Sequence, residues 1–181
     1  MPFAYYDRLT RAQQRVYRRS DQVTALGRPD VAPLRPVTEA LGAALATEDR
    51  VRVEAAAQRL YHGLAQAFGV RPCRVEVLAA RPHGRWGELQ GLYTPALRGR
   101  PPQVTLWMRT ARQKRVVAFR TFLRTLLHEL CHHLDYDHLR LGDSFHTEGF
   151  YKRESSLFHQ LVPEPPAARP ARNATGPSAP E

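Results

Sequence analysis

From Tyr6 to about Val23, Leu9, Ala12, Val16 and Tyr17 recur at three- to four-residue spacing among arginines, which predicts an amphipathic helix. Gly27, Pro29, Pro33 and Pro36 then interrupt the pattern. A second helical stretch, capped by Thr38, is expected to run to about Phe68, with Leu41, Leu45, Val53, Ala57, Leu60, Leu64 and Phe68 on one stripe. Asp49 marks an interruption within it, and Gly69 closes it.

After Arg74 the period changes. Val75, Val77 and Ala79 alternate with other residues, Glu88 to Tyr93 follows a glycine-containing turn, and Val104 to Met108 follows Pro101 and Pro102. Three short antiparallel strands are the expectation. Helical spacing returns between Lys114 and Tyr136 through Val117, Phe119, Phe122, Leu123, Leu126, Leu127, Leu130 and Leu134, a stripe broad enough for a core helix. A loop containing Gly142 follows, then a helix from about Thr147 to Leu161. The order of helices, short sheet, core helix and last helix defines an α+β class. It divides the chain into an N-terminal helical extension over 1–35, a main domain over 36–162 and a tail over 163–181. The tail contains Pro163, Pro165, Pro166 and Pro170 and is expected to stay disordered, because it has too little apolar surface to bury.

Composition narrows the function classes. Of 181 residues 43% are hydrophobic and 24% charged, as in ordinary folded domains. No apolar run approaches the roughly 18 residues of a membrane span, and residues 1–10 lack the apolar core of a signal peptide, so a cytoplasmic protein that avoids membranes is expected. Cys73 and Cys131 form no C-x-x-C pair and read as buried thiols. The net charge of +10 comes almost wholly from scattered arginines. It suits nucleic acid or acidic partners, and equally a solvated basic surface.

The core helix carries candidate chemistry. His128-Glu129-Leu130-Cys131-His132 is an H-E-x-x-H sequence, and its i, i+4 spacing sets both imidazoles on one helical face where they can share Zn²⁺. Glu129 lies beside the open coordination position, as a general base requires. Two histidines and a glutamate on so apolar a helix are costly to bury without a metal or partners. A catalytic zinc takes three protein ligands, and three residues compete for the last place. His138 follows His132 by six residues, but Asp135 stands where the metzincin pattern has glycine and no methionine follows for a Met-turn. Glu154 lies on the last helix, as in gluzincins or ImmA/IrrE-type peptidases, and could equally pair with Lys152 or Arg153. His146 lies fourteen residues after His132, beyond a turn of Gly142, Asp143 and Ser144.

Several neighbours have open roles. His133 is one step off the ligand face, either solvated or packed. Asp135 could orient His132 or be solvated. Tyr136 and Tyr151 could donate to an oxyanion or pack in the core. Trp107 and Met108 lie on a strand that could face substrate, though their side chains suit the core better.

The stretch from His128 to Phe150, H-E-L-C-H followed by F-H-T-E-G-F, resembles the SprT-like zinc metallopeptidases. The resemblance implies a zincin-like domain in which His128, His132 and His146 hold Zn²⁺, Glu129 is the general base, and the substrate is a protein or peptide. It covers the chain from about Val104 to Leu161, not the N-terminal helices. No cysteine ribbon of the kind many SprT-like proteins carry is present. A basic nucleic-acid-associated module on the same scaffold, with little or no protease activity, is the alternative.

Overall fold

The computed structural model describes residues 3–163 apart from 28, 85, 86 and 98. The expected disordered tail lies outside the described residues, save for its first residue. Among the described residues, five α-helices, a three-stranded sheet and a two-stranded sheet make up the α+β architecture. The helices are α1 (Arg11–Gln22), α2 (Arg35–Ala46), α3 (Arg50–Ala67), α4 (Phe119–Asp137) and α5 (Glu148–Leu161). The strands are β1 (Arg74–Ala80), β2 (His83–Gly84), β3 (Gly87–Glu88), β4 (Gly91–Thr94) and β5 (Gln103–Arg109). Among the described residues no helix is long and apolar enough to cross a membrane.

Local chemistry explains the helix boundaries. Thr10 caps α1 in a reciprocal capping box with Gln13. The stretch expected from Thr38 to Phe68 is two helices, because the Asp49 carboxylate accepts from the amides of Val51 and Arg52 and starts α3 afresh. Thr38 is not a cap. It lies buried inside α2, its hydroxyl donating to the Leu34 carbonyl, while Pro36 occupies the first turn where a missing amide costs nothing. Gly69, at φ +64°, ends α3 with the Val70 amide bonded back to Ala65 and its own to Gln66.

The sheet differs from the expected antiparallel meander. Its order is β1-β5-β4, with β1 parallel to β5 and β4 antiparallel to it. The chain leaves β1, forms the small β2–β3 hairpin, and returns on the far side of β5. Alternation identified the strands but carries no information about which neighbour each would choose. The run Val104 to Met108 is buried throughout because β5 is central and covered on both faces.

The two edges of this sheet are treated differently. On the β1 edge, α3 side chains cover the backbone: Gln58 accepts from the Val75 amide and Glu54 from that of Val77, while Arg50 donates to the Val77 carbonyl. Such cover blocks further strand pairing. The β4 edge instead borders a cleft above α4. Helix α4 packs under β4 and β5, α3 under β1, and α1 and α4 both pack on α5. Leu60, Leu64, Val77, Leu106, Leu123, Leu126, Leu130 and Phe158 fill the core between these layers.

Two substitutions check this account. Leu126→Ala, at a site with no exposed surface, is expected to lower unfolding free energy by about 2–5 kcal/mol. Asp49→Ala should cost about 1 kcal/mol, the ordinary worth of a cap. Urea titration with an unchanged slope would report both.

Candidate metal centre

Helix α4 presents His128 and His132 one turn apart, their ring centroids separated by 5.0 Å. The loop after α4 folds back through Arg140, at φ +53°, and the Leu141 amide bonds to the Asp135 carbonyl, which carries His146 over the end of the helix. His146 then stands 4.8 Å from the His128 ring and 4.9 Å from the His132 ring. Its Nε2 lies 2.9 Å from Nε2 of His128 and 3.1 Å from Nε2 of His132. Tetrahedral coordination at a zinc–nitrogen distance near 2.05 Å spaces ligand nitrogens at roughly 3.3 Å. Two of the three pairs thus stand near the separation one cation would impose, and all three ligand atoms lie within 4.8 Å of one another. The triad can hold a metal ion. Phe150, with no exposed surface, packs against all three rings and forms the floor.

Electrostatics suits ligation. Burial and the neighbouring imidazoles of His128 and His146 push His132 down to about 3, and burial together with His128 lowers His146 as well. Both rings are thus held neutral, the form that coordinates. The remaining nitrogens are engaged: Nδ1 of His128 lies 3.0 Å from Glu154 Oε2, and Nδ1 of His132 lies 2.7 Å from Ser144 Oγ. Arg124, stacked over the Phe158 ring, pairs with the other oxygen of Glu154 at 3.6 Å. Outer partners of this kind orient ligating histidines.

These contacts sort the three competitors. His146 joins the triad. Glu154 instead touches the far nitrogen of His128, and His138 packs edge-on against Phe68 at 5.4 Å, away from the other rings. Asp135 is not solvated; it is fully buried and accepts from Ser144 Oγ at 2.8 Å, so it reaches His132 only through that hydroxyl. His133 points into the core with no exposed surface, where its Nδ1 meets Tyr61 and Cys73 and its Nε2 meets Asp137. Tyr136 stacks on Tyr93. Tyr151 is exposed beside His146, its hydroxyl without a hydrogen bond among the described residues. Trp107 and Met108 are buried.

Glu129 faces the cleft, which has a volume of about 690 Å³. One wall is β4, and the other is α4 with the triad. Burial raises the Glu129 carboxyl to about 7, against the pull of His128 and of a backbone hydrogen bond from Tyr93, and Glu154 raises it further. Gly91 lies so close that a Cβ there would overlap Glu129 Oε1 and approach Thr125 Cγ2 at 2.7 Å. Sequence reasoning missed Gly91, Tyr93 and Ser144 as parts of this site. A glycine inside a strand pattern is a recognised sign of close approach and could have flagged Gly91. No local signal distinguishes Ser144 from any loop serine. No family model, curated protein or solved structure matches this chain. The chemistry of the site rests therefore on its own geometry.

The Glu129 shift has a measurable sign. Its folded value, about 7, lies above the 4.5 of the unfolded chain. The native state thus binds the proton more tightly, and stability falls as pH rises between those values. In metal-free protein Glu129→Gln should remove that loss, gaining about 3 kcal/mol on wild type above pH 7 relative to pH 4. Chemical denaturation of both proteins across pH 4 to 8 reads the difference, and parallel curves would contradict the assignment.

Proposed function

We propose that this protein is a zinc-dependent peptidase, a zincin-like domain of the SprT-like kind. One observation carries the reading: three imidazole nitrogens converge beside a buried, proton-accepting glutamate, at the open edge of a sheet. The donor set suits zinc, since neutral histidine nitrogens with oriented second nitrogens are its usual ligands. His128, His132 and His146 would hold the ion. Bound there, zinc supplies Lewis acidity that acidifies water and polarises a carbonyl.

The chain's own groups supply the rest. Glu129, raised toward neutrality and pinned by the Tyr93 amide on one side, accepts the proton of the attacking water and passes it to the departing amine nitrogen. Gly91 gives that carboxylate room. β4 ends the sheet, so its edge away from β5 has no strand partner among the described residues. A substrate in extended conformation can align there by adding a strand, its backbone held regardless of sequence. Leu92 and Pro95 offer apolar contact to its side chains.

Protein purified without chelator is expected to carry about one zinc per chain by plasma mass spectrometry. Glu129→Gln should keep the zinc while cutting cleavage of an unfolded protein substrate at least about 100-fold. His128→Ala together with His132→Ala should lose both. Zinc retained by that double variant would sink the proposal.

A second reading has its own observation. Arg11, Arg15, Arg18 and Arg19 are exposed on the outer face of α1, and none makes an ion pair among the described residues. The scaffold could then serve as a nucleic-acid-associated module with little or no protease activity. Binding to duplex DNA that weakens steeply with salt, and is unchanged in Glu129→Gln, would favour it. Salt-independent or absent binding would exclude it.

A further inference from the structure

We infer that the N-terminal helix is part of the metal centre and positions two of its three histidines by separate routes. This rests on the histidine triad being a metal site, as proposed above.

The first route runs to His132. Arg153 on α5 has no exposed surface. It donates from Nη1 to the carbonyls of Ser20 at 2.7 Å and Val23 at 2.6 Å, at the C-terminal end of α1. Its Nη2 donates to Ser20 Oγ at 3.0 Å and to Asp135 Oδ1 at 2.7 Å. The other oxygen of Asp135 takes the Ser144 hydroxyl proton at 2.8 Å. A serine hydroxyl has a single proton to give. With that proton committed to Asp135, Ser144 Oγ can only accept from His132, 2.7 Å away. His132 must then carry its proton on Nδ1, and Nε2, the nitrogen that faces His146, is left with its lone pair for the metal. The end of α1 thus connects, through Arg153, Asp135 and Ser144, to a ligand it never touches, and the Asp135–Ser144 bond sets the tautomer of that ligand.

The second route runs to His146. Tyr5, in the segment leading to α1, donates its hydroxyl to the His146 carbonyl at 2.8 Å. Tyr17 of α1 packs on both Tyr5 and Phe145. Ser20 Oγ lies 3.4 Å from Oγ1 of Thr147, the cap of α5, and Asp21 accepts from the Gly149 amide at 3.1 Å. α1 passes so near that a Cβ on Gly149 would overlap the Asp21 carbonyl and lie 2.6 Å from that of Ser20. The residues flanking the third histidine are therefore gripped from the same helix. Ser144 and Tyr5 are positioning residues, since neither offers an atom to the cation.

The test uses the full chain and zinc alone, titrated against a chromophoric chelator. Ser144→Ala and Tyr5→Phe are each expected to weaken zinc binding about 10- to 100-fold. Ser144→Thr, which keeps the hydroxyl, should restore wild-type affinity, whereas a generally loosened loop would not be rescued by one oxygen. In the metal-free protein, two-bond nitrogen–proton correlations should find the His132 proton on Nδ1 in wild type, with that preference lost in Ser144→Ala. If wild type binds zinc and both variants bind it equally well, or if His132 carries its proton on Nε2, the inference is overturned while the metal reading stands. A wild type that takes up no zinc overturns both.

Discussion

A guanidinium with no exposed surface has to be surrounded by acceptors, because stripping its water costs several kcal/mol unless the lost contacts are replaced. The two Nη nitrogens of Arg153 meet this demand with one carboxylate, two backbone carbonyls and a hydroxyl, drawn from α4 and α1 while Arg153 itself lies on α5, and its Nε alone has no hydrogen-bond partner among the described residues. Three helices distant in sequence are tied at one point. Burial pushes the Asp135 carboxyl up, and the Arg153 charge and the Ser144 hydroxyl pull it back. Removing either partner would leave the other buried and uncompensated. The relative placement of α1, α4 and α5 therefore follows from satisfying a single buried charge, and the loop between α4 and α5 is hung from the same point.

That placement lets three imidazoles converge. Like dipoles and desolvation both oppose gathering histidines, and the protein answers by keeping His132 and His146 uncharged over the apolar floor of Phe150 while engaging the outward nitrogens of His128 and His132. The mouth stays open: His146 and Tyr151 are exposed, and the cleft is bounded by the sheet edge that no side chain of α3 covers. A sheet with one edge sealed by Gln58 and Glu54 and the other left beside Glu129 has a direction built into it.

A second polar cluster supports the same wall. His133, one step around α4 from the triad, bonds Tyr61 and stacks against Tyr93, which lines the cleft. The adjacent His132 and His133 thus face different directions for different purposes. His132 faces the cleft, and His133 holds the strand that forms its roof.

The sequence by itself determined the elements whose signals are local. The 3.6-residue stripe of α4, the interruption at Asp49, the helix start near Thr147, the glycine stop at Gly69, and the shared face of His128 and His132 all follow from spacing along one segment of chain. The helix ends were legible only in part: Gly69 stops α3 as expected, whereas Thr38, expected as a cap, lies inside α2. Tertiary structure alone decided whatever depends on which segments meet. Strand alternation is the same for a parallel or an antiparallel neighbour, so the crossover placing β1 and β4 on opposite sides of β5 left no local mark. His138, His146 and Glu154 competed for the third place in the sequence, with His146 preferred by the SprT-like resemblance, and the folded loop separates them: His146 joins the triad, Glu154 takes the outer nitrogen of His128, and His138 packs on Phe68. Ser144 and Arg153 look like ordinary polar residues in the chain. Their importance arises because burial turns an unsatisfied hydrogen bond or charge into a cost that only a distant partner can remove.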